Sequence, residues 1–459
     1  GYYGAGFYFI STPLEIIFNQ LINLKEINSD GAKLLAKHPT VFFFFVLSSI
    51  YFRKIVFLCT KDKLFSNLSA LFFLSYPYVF GHSLFNIKDI PFMSIWLICT
   101  FFLMQISLNY ITKSEIRLKN IIILSILTAY LLSIRISGVL IFVQYLIFLL
   151  MILNISKKSI FNFVKINLKK IFIFFLCFFL FTYLFYPSFW GDPLKFLNSI
   201  LFMSKHIQTV CTTTLGECMK AQNLPSSYIF IWLFFKLPLL IILGLLIFPF
   251  IEKQFFLNKI NVLLIGSLIL TTLSIIFLLI LFEANLYDEL RQILFLIPIL
   301  FIISLVILYN FKRKFTVISI GVFILFFLFQ NFKIYPFNYL WLNNFNTLIE
   351  VNKNFELDYW GVSTKNIAKF INKNNFEKTS CIISNRSDGI KYFMSNQDKC
   401  LKSLKELHKK NIRPFYVALT ERALDKGLPI RCTLIYEDKI KMNFSSENLI
   451  LSKFYECIN

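Results

Sequence analysis

Four places in this chain set ionisable or amide side chains against long apolar runs. A charge buried at the centre of a bilayer costs about 3 kcal/mol on insertion scales, so such residues are functional candidates by default. The first place is Gly81-His82-Ser83-Leu84-Phe85-Asn86-Ile87-Lys88-Asp89-Ile90-Pro91-Phe92, a short turn between two apolar runs. His82, Asn86, Lys88 and Asp89 converge there, and Pro91 suits the first turn of the next helix with Asp89 at its positive dipole end. His82 and Asp89 are the candidate catalytic groups and Asn86 and Lys88 the candidate substrate ligands; a helix cap plus a snorkelling lysine is the plainer alternative. The second place is Arg135, between two apolar runs with no acid near it in sequence. Its planar fork suits a phosphate, and snorkelling to headgroups competes evenly. The third is Lys236, in Trp232-Leu233-Phe234-Phe235-Lys236-Leu237-Pro238, where the proline frees backbone carbonyls; it joins the candidate phosphate or substrate ligands, with snorkelling to the outer surface as the alternative. The fourth is Glu283-Ala284-Asn285-Leu286-Tyr287-Asp288-Glu289-Leu290-Arg291. Its acids and arginine could pair with one another, or hold a sugar, a metal or a phosphate; Tyr287, Asp288 and Arg291 join the candidate ligands. His38, His82, His206 and His408 are scattered, without zinc-ligand spacing.

The elements that must carry these residues follow from composition. Of 459 residues 57% are hydrophobic, 58 are Phe and only 16% are charged, well below the roughly 25% of a soluble domain. That excludes a soluble enzyme, a disordered chain and a nucleic-acid-binding protein, and leaves a polytopic membrane protein. About ten apolar runs approach the length needed to span hydrocarbon, near residues 39–52, 64–84, 90–110, 120–135, 137–154, 171–187, 227–250, 260–282, 292–309 and 315–330. One alternate set of joints holds 17 basic and three acidic residues, the other nine of each. The positive-inside rule makes the first set cytoplasmic. Much of the net charge of +22 is then a topology signal, and no nucleic acid is needed to explain it. With that parity, residues 1–37, 85–90, 187–226, 283–291 and everything after 331 face outward.

Six of the nine cysteines fall on that outer side: Cys211, Cys218, Cys381, Cys400, Cys432 and Cys457. An even set fits a disulfide-permissive compartment; Cys211–Cys218 is the expected local pair, with six unrelated thiols as the alternative. The expected architecture is an all-α membrane domain over residues 1–330 and a small α/β extracytoplasmic domain over 331–459. In the latter, Ser363 caps a helix near 364–373, and Cys381–Asn385, Pro414–Leu419, Ile430–Tyr436 and Leu449–Tyr455 read as strands. Residues 1–37 lack the basic and apolar pattern of a signal peptide, so a preceding span is expected upstream of Gly1.

Five motifs, in order, resemble the bacterial GT-C glycosyltransferases of the family 39-like kind, relatives of protein O-mannosyltransferases and of the lipid A aminoarabinose transferase. They are Gly1-Tyr2-Tyr3-Gly4, His82 to Phe92, Phe185-Tyr186-Pro187-Ser188-Phe189-Trp190-Gly191-Asp192-Pro193, Leu286-Tyr287-Asp288-Glu289-Leu290-Arg291 and Glu356-Leu357-Asp358-Tyr359-Trp360-Gly361. The resemblance implies a GT-C fold in the bacterial cytoplasmic (inner) membrane. It implies transfer of a sugar from a polyprenyl-phosphate carrier to a glycan, lipid or protein acceptor at the outer face. A first-loop acid would act as base; residues 1–14 contain no Asp or Glu, so the base is expected upstream of Gly1. Asp89 would then position the acceptor or a divalent metal ion, while Lys88, Arg135 and, more weakly, Arg291 stabilise the leaving phosphate. No cofactor is otherwise expected. A transporter or flippase of lipid-linked or small polar substrates is the competing class, disfavoured by the lack of an internal repeat.

Overall fold

The computed structural model describes residues 5–21, 29–113, 115–192, 198, 202, 210–251, 253–374, 381–395, 400–404, 415–420, 432–442 and 447–457. The Gly1-Tyr2-Tyr3-Gly4 motif lies outside them, as do Pro193, His206, His408, Pro414 and Ile430. The chain divides into two units. One comprises residues 1–209 and 221–329, and the other residues 210–220 and 330–459.

The first unit is helical. Among the described residues six helices are long and apolar enough to cross a membrane: Ala36–Thr60, Asp89–Lys113, Ile136–Ser156, Ile160–Phe185, Lys259–Leu281 and Arg291–Ile334. This makes the chain a multi-pass membrane protein. Helices Lys63–Ser75 and Pro77–Ser83 meet at a 64° bend, where Tyr76 is extended and Pro77 opens the second helix. Among the described residues six helical stretches thus pass this length and apolarity test, against ten apolar runs expected. The run at 227–250 is broken because Pro238 has no N–H to continue the ladder: it forms Ser227–Lys236 and Leu239–Ile247 around an extended Leu237.

The runs 292–309 and 315–330 are two arms of the helical segment Ile297–Ile334, which departs from helical geometry at Lys312 (φ −152°, ψ 84°). The arms fold back on each other there. Phe72 packs on both Phe301 and Phe327, at ring distances of 5.5 and 5.3 Å; a straight helix would separate those two by about 39 Å. Thr316 Oγ1 likewise donates to the Leu308 carbonyl at 2.9 Å, eight residues back, which only a reversal permits.

Small residues allow the closest helix crossings, as expected where lipid supplies no hydrophobic drive between helices. A Cβ on Gly244 would lie 2.1 Å from Ser304 Oγ and 2.7 Å from its carbonyl oxygen, while Ser304 Oγ donates to the Ile241 carbonyl at 2.8 Å. The helix Gly6–Leu21 is tied down by Tyr130, whose hydroxyl donates to the Gly6 carbonyl at 2.8 Å.

The second unit holds two sheets. Strands β1 (Cys211–Thr214) and β2 (Glu217–Lys220) form a hairpin closed by the Cys211–Cys218 disulfide. The other five are β3 (Cys381–Ser384), β4 (Leu401–Ser403), β5 (Phe415–Thr420), β6 (Cys432–Lys441) and β7 (Asn448–Cys457), in spatial order β4-β3-β5-β7-β6. β3 runs parallel to β4 and β5, and β7 antiparallel to β5 and β6. The four expected strands and the helix Thr364–Asn374 are therefore present; β6 and β7 run on beyond the expected ends to Lys441 and Cys457, and β3 stops one residue short at Ser384. The hairpin is new: its Thr213 carbonyl accepts from Glu356 N and its Gly216 N–H donates to the Asn354 carbonyl, although some 140 residues of sequence intervene. Disulfides Cys381–Cys400 and Cys432–Cys457 tie β3 to the start of β4 and β6 to β7.

The Glu356–Gly361 motif braces this unit. Asp358 is fully buried and accepts from the amides of Val362 and Ser363, both at 2.9 Å, and from the Tyr339 hydroxyl. Burial pushes its carboxyl above the ordinary value against those hydrogen bonds. The Ser363 hydroxyl does not cap the helix; it donates to the Leu451 carbonyl, and Asp358 serves the preceding turn instead. Gly361 has φ +72°, and a Cβ there would meet Arg386 Nε at 3.3 Å, whose Nη2 donates to the Tyr359 carbonyl at 2.6 Å.

Gly244→Ala should destabilise the helical unit by about 1–3 kcal/mol, because Ser304 backbone must move to admit the methyl. Gly321→Ala, at a helical position with nothing within 4 Å, should be neutral or slightly stabilising. Thermal melts in detergent would compare the two; equal melting temperatures would show that the crossing has room to spare.

Candidate active site

The chain's own breaks in helical geometry deliver its charged residues to one place. Asp89 opens the helix Asp89–Lys113. Asn86 acts as its cap: Oδ1 accepts from Lys88 N at 3.3 Å and from Asp89 N at 3.0 Å. Arg135 lies between the helix Leu118–Ile134 and the 3-10 turn Ile136–Leu140, with extended backbone (φ −146°, ψ 136°). That single non-helical residue leaves its side chain free of either helix face. Arg291 begins a 3-10 turn ahead of Ile297. Before it, Asp288 and Glu289 both adopt left-handed backbone, φ 57° and 63°.

These residues meet around one carboxylate. Asp89 is 5% exposed. Its Oδ1 accepts from Arg135 Nη1, and its Oδ2 accepts from Asn86 Nδ2 at 2.9 Å and faces Arg291 Nε at 3.5 Å. Arg291 also pairs with Asp288 at 3.0 Å, and its guanidinium lies 5.0 Å from the Tyr287 ring centre. The Arg135 guanidinium lies 5.8 Å from the Phe92 ring centre, a cation–π contact that helps hold it. His82 is fully buried; its Nδ1 sits 3.1 Å from Asn86 Nδ2, so it orients the amide that orients Asp89. Lys88 is the exposed member. Its ammonium is nonetheless held below the ordinary lysine value, first by desolvation and then by repulsion from Arg135, with Asp89 opposing.

The geometry sorts the expected site residues. His82, Asn86, Lys88, Asp89, Arg135, Tyr287, Asp288 and Arg291 belong to this cluster. Lys236 does not extend into it. It is wholly buried and pairs with Glu289 at 2.8 Å, a residue the sequence offered only as one acid among several. Tyr76, Tyr78 and Trp232 around that pair were hidden among many aromatics. A divalent ion at Asp89 does not fit: both carboxylate oxygens already face guanidinium groups, whose charge repels a cation. Among the described residues no group of three or more His, Cys, Asp or Glu side chains could hold a metal.

Chemically, the cluster holds two guanidinium forks against the protein's own carboxylates, Asp89 and Asp288, with the Lys88 ammonium coupled to Asp89, and planar forks bind carboxylate and phosphate in the same way. No family model and no curated protein matches the chain. Among solved structures it is similar to ArnT from Cupriavidus metallidurans in the apo state, at 12% identity and a TM-score of 0.47, over 98% of this chain and 87% of that one.

Asp89→Asn should leave two half-buried arginines without their shared, buried counter-ion, at a cost of about 3 kcal/mol. An added phosphate amphiphile such as dodecyl phosphate should recover part of the lost melting temperature, beyond what sodium chloride does at equal ionic strength. A variant that melts lower and ignores the phosphate would argue against an anion-receptive site.

Proposed function

We propose that the protein is a GT-C-type glycosyltransferase of the bacterial cytoplasmic membrane. It moves a sugar from a polyprenyl-phosphate donor to an extracytoplasmic glycan, lipid or protein acceptor. The observation that carries this reading is the Asp89 carboxylate held by Arg135 and Arg291 beside Lys88. In the reaction the bond between the sugar's anomeric carbon and the phosphate oxygen breaks. The acceptor oxygen bonds to that carbon, its proton passes to a base, and negative charge collects on the leaving phosphate. Arg135, Arg291 and Lys88 stabilise that charge, and fixed donors of this kind supply a large part of a typical rate enhancement. Asp89, with Asn86 and His82 behind it, keeps the cations gathered while the donor is absent. Asp288 and Tyr287 keep Arg291 in place.

Residues 1–330 form the transferase domain in this reading, on a GT-C scaffold of about ten spans once the broken helices are counted, and residues 331–459 a domain on the outer side. Two features support that side: the alternate-loop charge asymmetry, and three disulfides, all in the second unit, which belong to an oxidising compartment.

Transfer of labelled sugar from purified lipid carrier in liposomes tests the assignment. Arg135→Ala should lower the rate about ten- to a hundred-fold, the value of one charge-assisted hydrogen bond, and Arg135→Lys should also impair it because a point charge cannot replace the fork. Activity should fall on an alkaline limb below the ordinary lysine value of 10.5, since loss of the Lys88 proton removes a phosphate-facing cation. Lys88→Arg should move that limb upward. Wild-type rates in both Arg135 variants would sink the site. Carrier crossing the bilayer with no glycosylated product would favour a flippase instead.

A further inference from the structure

Beside the cluster around Asp89 lies a second charged pair, Lys236 and Glu289. Lys236 and Glu289 are 0% and 1% exposed at their side chains, with Nζ and Oε2 2.8 Å apart. The ammonium also lies 4.6 Å from the Tyr78 ring centre and 5.6 Å from that of Trp232. A buried ion pair is a poor source of stability, because desolvation of both charges offsets their attraction, and a well-packed apolar pair does as well or better. Its position is more informative than its strength.

Each partner sits where the backbone is under constraint. Lys236 is the last residue of the helix Ser227–Lys236, just before the break at Leu237-Pro238. Its freed carbonyl accepts from the Tyr76 hydroxyl at 2.5 Å, and Tyr76 is the residue at the 64° bend. Glu289 is the second of two consecutive residues with left-handed backbone, a conformation that side chains with a Cβ resist and adopt only when neighbours impose it. Its carbonyl faces the Tyr228 hydroxyl at 3.3 Å. The first of the two, Asp288, holds Arg291 at 3.0 Å, and Arg291 faces Asp89 at 3.5 Å. Neighbouring acids of one strained turn thus have separate tasks: Glu289 engages Lys236, and Asp288 engages Arg291.

We infer that Lys236–Glu289 is a positioning pair: it fixes the left-handed turn at Asp288–Glu289 and so aims Arg291 at the phosphate. Neither residue touches the substrate. The inference rests on the reading of Arg291 as a phosphate ligand, so its test needs a readout that does not depend on sugar transfer. That readout is the rise in melting temperature produced by dodecyl phosphate.

The double variant Lys236→Met/Glu289→Leu replaces the pair with apolar groups of similar length. It should melt within a few degrees of wild type, lose at least half of the phosphate-induced rise, and lower kcat about ten-fold with less than three-fold change in KM, the loss expected for one displaced charge-assisted contact. Glu289→Gln is the milder change and should show the same pattern at smaller size if the double variant fails to fold. A full phosphate-induced rise in whichever variant folds overturns the inference, because a purely structural pair would alter melting alone. If wild type responds to phosphate yet transfers no sugar, the reaction assignment fails while the positioning role is still read from the melting shift.

Discussion

A carboxylate buried at the ends of apolar helices must find cations, and Asp89 finds two. Much of the helical unit's irregular geometry is understandable as the means of that encounter. Arg135 reaches it because one extended residue separates a helix from a 3-10 turn. Arg291 reaches it because a strained turn precedes it. Asn86 donates to the carboxylate, and His82 sits against that amide. An uninterrupted bundle could not gather them, since side chains on a regular helix face project at fixed intervals along its axis. Helix breaks in a membrane protein are tolerated where neighbouring groups take up the freed backbone atoms, as Tyr76 does for Lys236.

The same constraint links ground state to chemistry. With no donor bound, the cations are neutralised by Asp89 and Asp288. In the proposed reaction, a phosphate entering this site would compete for donors already in place, so little reorganisation would be needed when charge develops on it. Asp89 is then better understood as an organiser of cations than as a proton acceptor, since its oxygens are engaged by guanidinium and amide groups. The deeper pair at Lys236 and Glu289 extends the arrangement one layer inward.

The second unit is built on different physics. Its sheet packs against Thr364–Asn374 and Ser387–Phe393 through Ile367, Ile371, Ile382, Ile390 and Phe454, and disulfides brace its strand pairs. Asp358 serves there as a buried internal staple. Within the Glu356–Gly361 motif, Asp358 and Gly361 therefore have an explanation in folding.

Sequence determined that the chain is a multi-pass membrane protein and marked the residues that gather around Asp89, for one reason: hydrocarbon penalises charge, so each ionisable residue beside an apolar run is conspicuous. It also located the strands of the second unit, whose β-branched and aromatic runs carry their own signal, and the local Cys211–Cys218 bond. It could not pair the charges. Asp89 and Arg135 are 46 residues apart, and nothing local to Arg135 indicated an acid. Lys236 looked like a phosphate ligand because burial is a property of the packed bundle, and only packing showed Glu289 against it. The β1–β2 hairpin was invisible as part of the second unit, since its partners at Asn354 and Glu356 are distant in sequence. Periodicity and charge are written along the chain; which charge faces which is decided by where helices break and fold back, and those crossings exist only in three dimensions.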